Sequence, residues 1–318
     1  MVHLFGEGRR FPVALLPMVC IVCSLSTAAA QEIPRRAQAP GVAAAVVRYD
    51  SVRARSEYVP EWYSMFTNVP KNWVRFGNTV FTGEKVPMFV GMGLLTSALV
   101  ATDDETWRIS DRWDRGSGTV ANLSDLFEYM GDGTPQFGLA GAFAAYGIVA
   151  GDGRALRTGS QTVEAILSCG IVVQVLKHMT GRESPFVSTV PGGKWDLLPN
   201  QIEYHRHVPQ FDAYPSGHIA TALATVTVVA ENYPELWWIR PIGYTITGLI
   251  GVSMANTGIH WYSDYPLGLA LGYTFGMLAA HPEEMGGLPG EYAPGHVKVS
   301  FSPVMTRDGA GVGVVVSF

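Results

Sequence analysis

The sequence predicts an all-α protein, a helical bundle of about six core helices followed by a short C-terminal β-hairpin. Six apolar runs predict the bundle: 86–101, 135–150, 162–177, 219–230, 239–255 and 266–280, each bounded by Gly, Pro, Asp or Asn. They are mostly 12 to 17 residues long and lack the apolar/polar alternation of half-buried strands, so helices that bury one another are the economical reading. After residue 285 the texture changes. Residues 297–304 and 312–318 are rich in Val, Ser and Phe around Arg307-Asp308-Gly309-Ala310-Gly311, a hairpin signal.

Residues 1–30 read as an export signal: Arg9 and Arg10 precede an apolar stretch from Phe11 to Leu25, and Ala28-Ala29-Ala30 stand before Gln31. The mature protein is therefore expected outside the cytoplasm, in the periplasm. An uncleaved anchor is the alternative, although a full span needs about 20 apolar residues. Residues 31–80 read as a linker and an amphipathic segment. In the latter, Tyr58, Trp62, Tyr63, Met65 and Phe66 either pack on the bundle or meet a lipid interface. Residues 81–285 form the expected helical domain and 286–318 its extension. As membrane spans the six runs are short and carry Gln174, Thr245 and Asn256, which favours a water-soluble or membrane-surface bundle.

Composition narrows the function. The chain has 22 Lys and Arg against 27 Asp and Glu, and removing Arg9, Arg10 and Glu7 with the signal leaves it more acidic, so nucleic acid is not an expected partner. Hydrophobic residues make up 47% and charged residues only 15%, which fits apolar helices facing one another or lipid. Of the three cysteines only Cys169 follows the signal, in an apolar run, where it reads as a small buried hydrophobe.

Three short motifs carry the chemistry. In Tyr214-Pro215-Ser216-Gly217-His218 a polar loop opens an apolar helix, so the free amides of the first turn, Ser216 as N-cap and Gly217 make an anion site beside the imidazole of His218. Gly258-Ile259-His260-Trp261-Tyr262-Ser263-Asp264 precedes another helix, with Pro266 in its first turn; Asp264 can hold one nitrogen of His260 and leave the other free to attack. Lys177-His178-Met179-Thr180-Gly181-Arg182-Glu183-Ser184-Pro185 ends a helix in basic residues. Taken singly each motif has a plain structural reading: a first-turn histidine, an N-cap aspartate, a buried histidine, a lysine that compensates a helix dipole. His205 and His207, two apart in a polar loop, lack a third ligand in a recognisable position and read as surface histidines, so no metal and no cofactor are expected.

The order and spacing of the three motifs, over roughly residues 86–280, resemble the type-2 phosphatidic acid phosphatase and vanadium haloperoxidase superfamily. The resemblance implies a metal-independent phosphatase acting on a phosphorylated small molecule or a lipid (pyro)phosphate. By it, His260 is the nucleophile, Asp264 orients it, and His218 protonates the leaving oxygen and then activates water. Lys177, Ser216 and Gly217 would bind phosphate. Two departures stand out: Ser184 occupies the place of the arginine in the family's first motif, and Met254 the place of the arginine in its third. A charged hydrogen bond is worth about 1.5–3 kcal/mol, so the loss of two forks is a large change, for which Arg182 is the candidate replacement. The same pattern leaves open a catalytically weakened binding or scaffold protein, a lipid phosphotransferase, and a vanadate-dependent haloperoxidase.

Overall fold

The computed structural model describes residues 59–282 and the backbone of two strands, 298–306 and 309–317. The expected export signal, the linker and Tyr58 lie outside the described residues.

All six apolar runs are helical. They form α2 (Val86–Val100), α5 (Thr134–Ala150), the greater part of α6 (Gly153–Thr180), α8 (Gly217–Asn232), α9 (Ile239–Asn256) and α10 (Tyr265–Ala280). Four more helices stand among the described residues: α1 (Ser64–Val80), α3 (Asp103–Arg115), α4 (Gly118–Gly131) and the short α7 (Gln201–Arg206). A search for apolar runs misses these because their helical signal is polar. α3 has Asp103, Asp104 and Glu105 in its first turn and Arg112 and Arg115 in its last, charges that oppose the helix dipole at both ends. α6 begins earlier than its apolar run because the Asp152 carboxylate accepts the Ala155 amide at 3.0 Å, an N-cap. It ends where Gly181 takes a left-handed conformation (φ 54°).

The centre of the bundle is α8, which packs against α6, α9 and α10. Its contact with α10 is close because α10 presents Gly268, Gly272 and Gly276 at four-residue spacing. A β-carbon at Gly268 would stand 2.6 Å from the Ser216 carbonyl oxygen, and one at Gly272 only 2.2 Å from that of Ala220. The absence of side chains there lets the two backbones touch, as small-residue helix crossings do. Ile219, Leu223, Ile250, Met254, Tyr265 and Leu269 form one apolar cluster on this frame, and Cys169, Val173, Leu271, Phe275 and Leu278 a second. Cys169 is buried, as expected.

The aromatic segment before the bundle differs from the inward-packing expectation. α1 lies on α6 through polar groups: Asn68 and Asn72 donate to the Glu164 carboxylate at 3.0 and 2.7 Å. Trp62, Tyr63 and Phe66 point outward and are exposed. α2 contains no buried residue, and Leu139, Tyr146, Ile171 and Val175 on α5 and α6 are also exposed. Among the described residues α6 is the single helix that is by itself long and apolar enough to cross a membrane, and half of its apolar window is buried in protein. The strands β1 (Lys298–Thr306) and β2 (Gly309–Ser317) pair antiparallel, Lys298 opposite Ser317 and Thr306 opposite Gly309. This is the expected hairpin, with both strands somewhat longer than the composition indicated.

Candidate active site

The site forms where the helix entrances of α8 and α10 meet the exit of α6. The Ser216 amide donates to the Asp264 carbonyl at 3.0 Å, which ties the Pro-Ser-Gly-His turn to the turn before α10. The Arg182 carbonyl accepts the Ala213 amide at 3.0 Å, which ties the loop after α6 to the loop before α8. Three stretches that are distant in sequence thus share one backbone frame.

On that frame His218 and His260 meet: Nδ1 of His218 lies 3.1 Å from Nε2 of His260. The tautomers follow from the neighbours. Nδ1 of His260 is 2.7 Å from the Ala213 carbonyl oxygen, which can only accept, so Nδ1 carries the hydrogen. Nε2 of His260 then holds the lone pair, and in the neutral pair His218 Nδ1–H is the donor to it. Both rings are uncharged near neutral pH. Burial pushes His260 down to about 3, and the charge of Lys177 works in the same direction. Burial, then the neighbouring His260 and Lys177, hold His218 well below the usual histidine range.

Asp264 stands beside this pair, but it does not make the short bond that the sequence suggested. Its Oδ2 is 3.5 Å from Nδ1 of His260 and accepts the Trp261 amide at 2.7 Å; the Ala213 carbonyl takes the nearer place on the ring. Asp264 is fully buried, and burial raises its carboxyl to about 6 against the opposing pull of Arg182.

Arg182 is placed differently from the sequence expectation. Its guanidinium is 0% exposed. Nη1 donates to Asp264 Oδ1 at 2.5 Å and Ser263 Oγ at 2.6 Å, and Nη2 to Asp103 Oδ2 and the Gly192 carbonyl, both at 2.7 Å. Both terminal nitrogens are therefore committed to protein acceptors, and Trp195 and Trp261 flank the group at 4.7 and 5.3 Å. In this arrangement the terminal nitrogens of Arg182 hold Asp264 and Asp103, and its Nε is buried without a partner. Ser184 uses its amide on the Pro209 carbonyl, and Met254 is packed in the apolar cluster.

Lys177, in the last turn of α6, reaches Asp212 at 3.3 Å and is the cation nearest to the histidine pair in effect. Ser216 is the N-cap residue of α8, yet its hydroxyl makes no cap bond; Oγ is buried without a partner. A buried hydroxyl left unsatisfied costs about 1–3 kcal/mol, and here it stands beside the open amides of the first turn of α8. Gly217 lies in the same turn. Sequence reasoning missed Asp103, Ser263 and the Ala213 carbonyl. An acidic triplet after an apolar run points to a helix start, and nothing in the sequence connects it with a loop 160 residues later.

Residues 160–284 match the PAP2 superfamily model. A 68-residue stretch is 38% identical to a lipid A 1-phosphatase of Porphyromonas gingivalis; it is 21% of this chain and spans only 15% of that protein. A transmembrane PAP2-type phosphatidylglycerolphosphate phosphatase of Bacillus subtilis superimposes with a TM-score of 0.43 and 14% identity, over 70% of this chain and 96% of that one. The match to the PAP2 superfamily model runs from within α6 to just beyond α10 and takes in Lys177, His218, His260 and Asp264.

Proposed function

We propose that this protein is a metal-independent phosphatase of lipid phosphates or lipid-linked pyrophosphates, working outside the cytoplasm through a phosphohistidine at His260. The observation that carries the reading is the meeting of two neutral imidazoles, 3.1 Å apart, at a helix entrance where the Ser216 hydroxyl has no partner. The match of residues 160–284 to the PAP2 superfamily model and the partial likeness to a lipid A 1-phosphatase support the substrate class. So does a groove of about 680 Å³ lined by Phe137, Ile171, Val175, Met179 and Leu198, which reaches Thr221, one turn along α8 from His218. Exposed Trp62, Tyr63 and Phe66 suit a membrane surface beside it. The working unit is taken as residues 81–285, with 286–318 an extension.

In-line displacement needs roughly 6 Å between the two histidine nitrogens, a near-attack distance on one side and a hydrogen bond to the leaving oxygen on the other. The phosphoryl group therefore enters by parting His218 from His260. Lys177, Ser216 and the amides of the α8 entrance receive its oxygens. A phosphate monoester has a second pKa near 6, so a monoanionic substrate brings one proton, which passes to neutral His218. Nε2 of His260 attacks phosphorus; the N–P bond forms as the ester P–O bond breaks, and the leaving oxygen takes the proton from His218. His218, neutral again, removes a proton from water as the water attacks the phosphohistidine. The N–P bond then breaks with its electron pair returning to Nε2, and His218 gives the proton it took from water to the departing phosphate. Asp264 stabilises the imidazolium present between the two steps.

Because the proton arrives with the substrate, kcat/KM falls as pH rises above about 6. The decisive assay is phosphate release from soluble and lipid phosphates in the presence of a chelator, by wild type and by His260→Ala. Hydrolysis abolished in the variant is expected; equal rates for the two sink the proposal. A second reading, a binding protein with little turnover, is favoured by Ser184 and Met254, which leave no guanidinium at the two motif positions. Under that reading vanadate or phosphate binds and no ester is cleaved.

A further inference from the structure

Asp103 enters the site from the first turn of α3, outside the residues that match the superfamily. Its Oδ2 accepts from Arg182 and from the Ser263 hydroxyl, and its Oδ1 from the Ser263 amide at 3.2 Å. Ser263 in turn accepts from Arg182, so the four side chains of Asp103, Ser263, Arg182 and Asp264 form one hydrogen-bonded unit, all of it buried. One guanidinium between two ionised carboxylates leaves this unit with a net charge of −1. Lys177 and Asp212 beside it cancel each other.

We infer that Asp103 and Ser263 are positioning residues for the reaction proposed above: they hold Arg182 against Asp264, and Asp103 supplies the negative charge that balances the imidazolium formed when His260 is phosphorylated. The inference rests on that reading of the site. Its physical basis is simple. With Asp264 and Arg182 alone the buried unit would be neutral, and a cation formed 3.5 Å from Asp264 would find the guanidinium charge behind it. With Asp103 present the guanidinium is already neutralised on its far side, so Asp264 acts on His260 as a full carboxylate. Arg182 also carries the backbone carbonyl that holds Ala213, whose own carbonyl fixes the His260 tautomer.

Asp103→Asn removes the charge and keeps the shape, and the test is made on the full chain at pH 7. In rapid-mixing experiments with a chromogenic phosphate ester, the rate constant of the phosphorylation burst falls at least tenfold, while the burst amplitude per mole of protein is retained. The phosphoenzyme, trapped by quenching, has a shorter lifetime because its imidazolium has lost its countercharge. Asp103→Glu recovers most of the burst rate. Vanadate binding, followed by 51V NMR, weakens about tenfold in Asp103→Asn, since a bond to vanadium places the same charge on the ring. Asp103→Ser is the fallback if the asparagine variant does not fold.

A lowered burst amplitude with unchanged rate constants and unchanged vanadate affinity would reduce Asp103 to a structural part and overturn the inference. A wild type that binds vanadate through His260 but turns over no ester sinks the phosphatase reading instead. The vanadate comparison of wild type with Asp103→Asn then still decides the role of Asp103.

Discussion

Two groups of buried charge lie along the α6 segment, and they are held in different ways. At its exit Arg182 bridges Asp103 and Asp264, each of which is also bonded to Ser263 or to a backbone amide. In its first half Glu164 is held by the amides of Asn68 and Asn72, with Arg75 behind them on Asn72. Burial dominates at both places. Glu164, with neutral donors in contact, is pushed up from 4.5 to about 7, and Asp264, with a guanidinium in contact, rises by a similar amount, from 3.8 to about 6. The difference lies in what each group joins: the guanidinium ties two carboxylates from separate elements beside the histidine pair, whereas the neutral amides at Glu164 clamp one helix on another.

The comparison is tested most severely by Arg182→Gln. Removing the bridge leaves two buried carboxylates facing each other, and breaking a buried ion pair from one side costs about 3–5 kcal/mol. Denaturant unfolding of the variant should show a loss of that size; a loss below about 1 kcal/mol would mean that the network contributes little.

Glu164→Gln should behave in the opposite sense, with a dependence on pH. The folded carboxyl, near 7, binds a proton more tightly than the unfolded one near 4.5, so its contribution to stability is complete below about 4.5 and is lost as pH rises through about 7. At about 1.36 kcal/mol per unit, the variant gains up to about 3 kcal/mol over wild type at pH 8 and nothing at pH 4.5. Thermal melts at the two values check this, and a pH-independent difference would refute it.

Gly272→Ala should cost about 1–3 kcal/mol, because its methyl group would fall against the Ala220 carbonyl and force α10 away from α8. A melt coincident with wild type would show that the contact yields freely. The smallest effect belongs to the exposed pairs of Glu203 with Arg206 and His207: Glu203→Ala should leave the melting temperature unchanged within error.

The parts of the molecule that could be read in the sequence are those whose signal is local. Apolar runs gave α2, α5, α8, α9 and α10 to within a few residues, and the Gly181 stop gave the end of α6. The helix entrances at His218 and just after Asp264 were legible because Ser-Gly and Pro mark first turns. The site's long-range connections were not. Whether Arg182 turns toward phosphate or toward Asp264 depends on Asp103, which comes from a helix whose charged sequence gave no apolar run to find. Likewise the partner of His260 Nδ1 is a backbone carbonyl, which no side-chain motif can reveal. The direction of Trp62, Tyr63 and Phe66 stayed open between the bundle and a lipid interface, because the face of α1 that meets α6 is largely polar, with Asn68, Asn72 and Arg75 buried beside Val69.

The central claim is that His260 becomes covalently phosphorylated. Mixing the full-length protein with a 32P-labelled lipid phosphate in chelator, quenching in alkali and mapping the label should find an acid-labile, alkali-stable phosphoryl group on the peptide carrying His260, and none in His260→Ala. Rapid hydrolysis by wild type without any label on that peptide, or label retained in the alanine variant, would contradict the account.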